Sequence, residues 1–131
     1  MENGLTISKK DAVALISDTS LGDLIKPLST EILLFDSYVA GTSHIKDESV
    51  FNDIREGDRL ILQREPENRF DENAILVLDG KKRKLGYVPE KDNIVFTRLM
   101  DAGKYLIAKV KSYEPKGAFR QINISIYLID F

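Results

Sequence analysis

Residues 64–74 read Arg-Glu-Pro-Glu-Asn-Arg-Phe-Asp-Glu-Asn-Ala, a polar segment between two apolar runs. Pro66 fixes its own φ and favours an extended backbone at Glu65, and short polar side chains fold back onto nearby amides. We therefore expect a tight, ordered loop between two strands. Phe70 lies in its middle with polar neighbours, so it either tucks into the core or serves a role at the surface.

The sequence on both sides of this loop has the pattern of β-strands. Residues 59–63 precede it, residues 74–78 follow it, and the pair Asp79-Gly80 then marks a turn. Further strands are predicted at residues 32–40 and 84–88, and two long alternating segments complete the chain. Short strands of this number favour a mainly β fold, a small barrel of about six strands, because closure removes exposed sheet edges.

Two helical insertions interrupt the strands. Asp47 is placed to cap a short helix that Gly57 ends. Residues 90–102 form the second predicted helix, between later strands, and Gly103 fits its C-terminal cap. Its predicted apolar face consists of Ile94, Val95, Leu99 and Met100.

Residues 1–30 have a different sequence pattern from the rest of the chain. This pattern predicts a short helical N-terminal extension, followed by a barrel domain at residues 31–131. Ser8 is a possible helix cap, and apolar residues recur at helical spacing until Gly22 and Pro27 interrupt them. Such a segment either packs on its own barrel or binds a protein partner.

Composition limits the possible functions. The chain has 131 residues, of which 43% are hydrophobic and 31% charged, so it is long enough for one core. Its apolar runs are far shorter than the roughly 20 residues that a membrane span needs, and no secretion signal is evident. Zero cysteines and one histidine argue against thiolate or zinc sites, and the lack of cysteine fits a cytoplasmic location. We expect no cofactor.

Net charge restricts the kind of nucleic acid that this chain could bind. The formal charge is −2, whereas proteins that hold long duplexes usually present a basic face. A short single-stranded end remains compatible, because stacking and a few local charges are enough to hold it.

Four acidic residues in and beside the loop raise the question of catalysis. Glu65, Glu67, Asp71 and Glu72 offer the oxygen ligands that Mg²⁺ prefers, but their spacing follows no ordered metal pattern. Solvated loop carboxylates are the commoner explanation, so Glu65 and Glu67 are expected to face water.

Two further features carry possible binding chemistry. His44 and Ser43 are adjacent on a chain and point to opposite faces, so they are poorly placed as a catalytic pair. His44 is therefore expected to be a structural ring or a ring that stacks on a ligand. The basic run at residues 81–84 is either a solvated hairpin tip or a guide for a phosphate backbone.

Several motifs together resemble the HIRAN domain family. They are Val39-Ala40-Gly41, the string from Leu62 to Asn68, the string from Phe70 to Ile75, and Leu85-Gly86-Tyr87-Val88-Pro89. The resemblance extends from about residue 33 to residue 128. It implies a modified OB-like barrel, and in a eukaryotic member this domain captures the 3′ end of single-stranded DNA.

By this resemblance, Phe70 stacks on a terminal base and Asp71 accepts a hydrogen bond from the 3′-hydroxyl. The physics agrees, because a carboxylate accepts from a hydroxyl and repels a phosphate. The other expected nucleic-acid-binding residues are Asn68, Asn73, His44, Tyr87 and Phe119, with the two asparagines as loop braces or backbone contacts. Ser43 and Glu90 stand where the eukaryotic domain has basic residues, which removes positive charge from the groove.

The sequence thus predicts a non-catalytic module that recognises single-stranded DNA 3′-hydroxyl ends. A protein-interaction adaptor is the alternative, and it predicts acidic surroundings for Phe70 and a buried ring. A metal-dependent nuclease is the lesser alternative.

Overall fold

The computed structural model describes residues 29–117 and 119–131. Leu33–Leu128 form one compact unit, which is described here by itself. The predicted helical extension lies almost entirely outside the described residues, and so does the proposed cap at Ser8. The division at residue 31 therefore stays a prediction.

Within the described residues, six strands form one sheet that curves into a half-barrel in the order β1-β6-β5-β2-β3-β4. The predicted mainly β, OB-like fold with one helix between later strands is confirmed. The bounds are β1 Thr30–Tyr38, β2 Arg59–Arg64, β3 Ile75–Leu78, β4 Lys84–Tyr87, α1 Glu90–Asp101, β5 Tyr105–Lys116 and β6 Phe119–Asp130. Two 3-10 helices, Thr42–His44 and Glu48–Asp53, separate β1 from β2.

The two edge strands of the sheet meet at one point. Ala40, just after β1, pairs with Tyr87 at the end of β4 through backbone hydrogen bonds of 2.7 and 2.9 Å. Gly86 makes this approach possible, because a Cβ there would lie 2.2 Å from the carbonyl oxygen of Ala40. The pairing brings the residues after β1 beside the end of β4.

Alternation along the strands builds the core, as the sequence predicted. Inward positions of β6 are fully buried at Ile122, Ile124 and Ile126, and polar residues occupy the positions between Ile122 and Ile126. In β3 all four residues are buried. Asp47 caps the second 3-10 helix as predicted, and its carboxylate accepts from the backbone N–H of Ser49 at 3.1 Å.

Helix α1 buries only half of the predicted face, since Leu99 and Met100 pack against the core but Ile94 and Val95 do not. Ile94 and Val95 are 45% and 60% exposed, whereas Asn93, Phe96 and Thr97 are buried. The buried polar groups have partners in the loop before β3, so burial costs them little. Gly103 ends the helix as predicted, with φ of 93° and a hydrogen bond to the carbonyl of Met100. No helix among the described residues is both apolar and long enough to cross a membrane.

Candidate nucleic-acid interface

Asn68 organises the polar loop between β2 and β3. Its side-chain oxygen accepts from the backbone N–H groups of Phe70 and Asp71 at 2.9 and 3.0 Å. Its amide donates to Glu65 Oε1 at 2.7 Å. One side chain therefore fixes both the start of the loop and the backbone that presents Phe70 and Asp71, which agrees with its predicted role as a brace.

Arg64 links the end of the polar loop to helix α1 through hydrogen bonds. Its guanidinium donates to the carbonyls of Ala74 and Glu72 at 2.8 and 3.1 Å, and to Asp101 Oδ1 at 2.9 Å. The planar fork suits several fixed acceptors at once. The end of α1 is thereby tied to the base of the loop.

Asp71 is held on both carboxylate oxygens. Oδ1 accepts from the backbone N–H of Asn73 at 2.8 Å, and Oδ2 accepts from the side-chain amide of Asn93 at 2.7 Å. Asn93 is only 2% exposed. Because an ionised carboxylate has about four acceptor positions, Asp71 keeps capacity for a ligand hydroxyl.

Phe70 and Asp71 share a cavity of about 250 Å³. Asn68 and Tyr87, two more of the predicted site residues, also line it, and Ala40, Ala74, Val88, Glu90 and Asn93 complete the lining. Phe70 is 96% exposed, which settles the choice between core and surface for this ring. We call this cavity the terminal pocket.

Glu65 is a correction to the sequence prediction. It does not simply face water, because Oε1 accepts from Asn68 and from the Tyr87 hydroxyl at 2.8 Å. The hydrogen bond from Asn68, followed by that from Tyr87, lowers the pKa of Glu65 below its ordinary value. Glu67 is exposed as expected. The hydroxyl of Tyr87, at the end of β4, is thus hydrogen-bonded to Glu65 at the start of the polar loop.

The remaining predicted site residues lie outside the terminal pocket. His44 lines a second cavity, described below. Asn73 contributes its backbone, whose carbonyl accepts from Thr97 Oγ1 at 2.7 Å. Phe119, at the start of β6, is 43% exposed. The backbone N–H of its neighbour Arg120 donates a hydrogen bond to the Thr42 hydroxyl.

Asn93 and Glu90 are the polar pocket residues that motif reasoning did not assign as ligand contacts. The sequence does contain a signal for the burial of Asn93, because Asn93, Phe96 and Thr97 are spaced to share one helix face. A buried asparagine on that face requires a partner, and Asp71 supplies it.

The structure also bears on the two alternatives. Asp71 and Glu90 make the terminal pocket acidic, as the adaptor predicts, but the exposed ring of Phe70 contradicts its other expectation. Within the described residues, no group of three or more His, Cys, Asp or Glu side chains is arranged to hold a metal ion.

A family profile described as the HIRAN domain matches residues 32–129. This chain belongs to the HIRAN domain family. The match covers the half-barrel, the polar loop and α1. No curated protein matches the chain.

Solved structures resemble this HIRAN domain over most of its length. A crystal structure of a protein from Lactobacillus plantarum has a TM-score of 0.74 and 26% identity, over 79% of this chain and 99% of that one. The crystal structure of the HIRAN domain of human HLTF has a TM-score of 0.59 and 20% identity, over 76% and 79%. An NMR structure of the HLTF domain in its DNA-bound conformation has a TM-score of 0.56 and 18% identity, over 76% and 79%. At these identities the human structures support the fold.

Proposed function

We propose that this HIRAN domain binds single-stranded DNA and recognises a free 3′-hydroxyl end in the terminal pocket. The observation that carries the proposal is the pairing of an exposed aromatic ring, Phe70, with a fixed carboxylate, Asp71, in one cavity. The related human domain, solved in a DNA-bound conformation, supports the choice of ligand. The proposed role is binding, with no chemical step.

Phe70 would supply the affinity for a base. Its ring is 96% exposed and held on a loop whose backbone is fixed by Asn68. Stacking of a base on such a ring contributes about 1–3 kcal/mol and tolerates any base. Because the loop is ordered, little conformational entropy is lost when the base stacks.

Asp71 would supply the selectivity for the end. Each of its oxygens already accepts one hydrogen bond, which fixes the carboxylate, and each retains acceptor capacity for the 3′-hydroxyl. A 3′-phosphate would bring two negative charges against Asp71 and Glu90, which line the same cavity. The pocket is therefore suited to an uncharged terminus.

Fluorescence anisotropy with 5′-labelled single strands tests the proposal. Strands of one sequence that end in a 3′-hydroxyl or a 3′-phosphate are compared in the wild type and in Asp71→Asn, which preserves shape and removes charge. We expect the wild type to prefer the hydroxyl by about tenfold, a difference of about 1.4 kcal/mol, and the variant to lose most of that preference. Equal affinity of the wild type for both ends would refute end recognition.

A further inference from the structure

A second cavity lies beside the terminal pocket and has the opposite charge. It has a volume of about 420 Å³, and its lining includes Lys46, Arg83 and Lys84 together with His44. Asp47 is its one lining carboxylate, and this group is turned to the N–H and hydroxyl of Ser49. The terminal pocket, in contrast, is lined by two carboxylates and by no lysine or arginine.

Lys84 and Tyr87 connect the two cavities. Lys84 Nζ lies 3.2 Å from the Tyr87 hydroxyl and 4.5 Å from the centre of its ring. Tyr87 lines the terminal pocket, while Lys84 lines the second cavity. A ligand that leaves the terminal pocket past Tyr87 therefore meets Lys84 first.

The cations of the second cavity differ in their availability. Arg83 is occupied, because its Nε donates to Asp79 Oδ2 at 2.7 Å and it also pairs with Asp53 at 3.4 Å. Lys46 is exposed and makes no hydrogen bond or ion pair with any residue that the structure describes. Lys46 and Lys84 are thus the two ammonium groups able to meet a new anion.

We propose that the phosphates just upstream of the terminal nucleotide pass over Lys84 and Lys46, in the second cavity. This inference rests on the proposed function and assigns the direction of the strand. A strand with a free 3′ end is uncharged at its terminal hydroxyl and negative at each preceding linkage. That order matches the arrangement of an acidic terminal pocket followed by lysines.

Lys46→Gln is the cleanest test, because Lys46 lines only the second cavity, whereas Lys84 also contacts Tyr87 of the terminal pocket. Affinity for a 3′-hydroxyl octanucleotide and for a dinucleotide is measured by anisotropy across a salt series. We expect the octamer to bind about threefold more weakly, with the slope of log K against log salt reduced by about 0.7. Dinucleotide binding and the preference for a 3′-hydroxyl should stay unchanged. Lys104→Gln, at an exposed position after α1, is the matched control and should leave the octamer unaffected.

A neutral linkage locates the contact along the strand. Octamers that carry one methylphosphonate at successive positions from the 3′ end are compared in the wild type and in Lys46→Gln. We expect one upstream linkage to weaken wild-type binding about threefold and to have no effect in the variant, because the two changes remove the same contact.

The outcomes separate the two proposals. If Lys46→Gln keeps the wild-type affinity and salt slope while the 3′-hydroxyl preference persists, the phosphate path is wrong and end recognition stands. If the wild type shows no preference for the hydroxyl at any length, end recognition fails and the path fails with it.

Discussion

The buried side-chain amide of Asn93, on helix α1, donates a 2.7 Å hydrogen bond to Asp71 Oδ2 in the polar loop. The two residues are 22 positions apart, so only the folded chain brings them together. The contact fixes the direction of the carboxylate that the proposed function requires. Under the proposed function Asn93 would be a positioning residue, since it would act on the ligand through Asp71.

Replacing Asn93 should therefore affect both stability and selectivity. Asn93→Ala removes the buried donor of Asp71, and we expect the free energy of unfolding to fall by about 1–3 kcal/mol in urea titration. The 3′-hydroxyl preference should fall as well, measured by anisotropy. Thr97→Val is the matched control, because it removes the other α1 bond to this loop, at the Asn73 carbonyl. It should lower stability and retain the preference, and a loss of preference in both variants would indicate general loosening of the loop.

Phe70→Ala should separate binding from folding. The ring is 96% exposed, so its loss should change the free energy of unfolding by no more than about 0.5 kcal/mol. Binding of single strands should weaken by about 1–3 kcal/mol if the ring stacks on a base. Phe51→Ala, in the core at 3% exposure, should instead cost about 3–5 kcal/mol of stability. Undiminished DNA affinity in Phe70→Ala would contradict the stacking role.

Gly86→Ala should disrupt the meeting of the edge strands. The added methyl would lie 2.2 Å from the Ala40 carbonyl oxygen and 2.6 Å from Val39 Cγ1, so the backbone must move. We expect a loss of about 1–3 kcal/mol or more in chemical unfolding. Gly80→Ala provides the comparison, because a methyl there has no atom within 4 Å. Similar losses in the two variants would show that the close approach is not the cause.

The stability of the domain should depend on pH through Glu65. Hydrogen bonds from Asn68 and then Tyr87 lower the pKa of this carboxyl in the folded state. Its stabilising contribution is therefore present above the ordinary glutamate pKa of about 4.3 and is lost as pH falls through the lowered folded value. Glu65→Gln should be less stable than the wild type near pH 6, and the difference should shrink toward pH 3.

Urea unfolding at a series of pH values measures this difference. Both proteins should lose stability in acid, since the Lys111 hydrogen bond lowers the pKa of Asp36 and the Ser49 hydroxyl lowers that of Asp47. The gap between the two curves isolates Glu65. Glu67→Gln, at an exposed position of the same loop, is the matched control. A gap that is constant with pH would show that ionisation of Glu65 is not linked to folding.

The prediction for helix α1 shows where sequence reasoning fails. Counting apolar residues selected Leu99 and Met100, which do pack against the core, and also Ile94 and Val95, which are 45% and 60% exposed. Asn93 and Thr97 are buried in their place because the polar loop offers each of them a partner. The periodicity of a helix indicates that it has one buried face, but distant hydrogen-bond partners decide which polar residues that face can include.

The expectation that Glu65 faces water fails only partly for the same reason, because one of its two donors, Asn68, is three positions away and the other, Tyr87, is distant in the chain. Solvation is the usual state of a loop carboxylate, and nothing near it in sequence suggests the Tyr87 hydroxyl, 22 positions away. Asn68, in contrast, was correctly expected to brace the loop, because its partners Phe70 and Asp71 lie two and three residues away. Local geometry is enough to predict contacts of that kind.

The sequence by itself determined the strands, the order of the elements, the polar loop and the pairing of Phe70 with Asp71. These features depend on alternation, turn residues and neighbours a few positions apart. Only the tertiary structure decided the fixed orientation of Asp71, the meeting of Ala40 with Tyr87, and the cavity that joins Lys46 to Lys84. Each of these requires groups distant in the chain to come together, and that placement follows from the packing of the half-barrel and its helix.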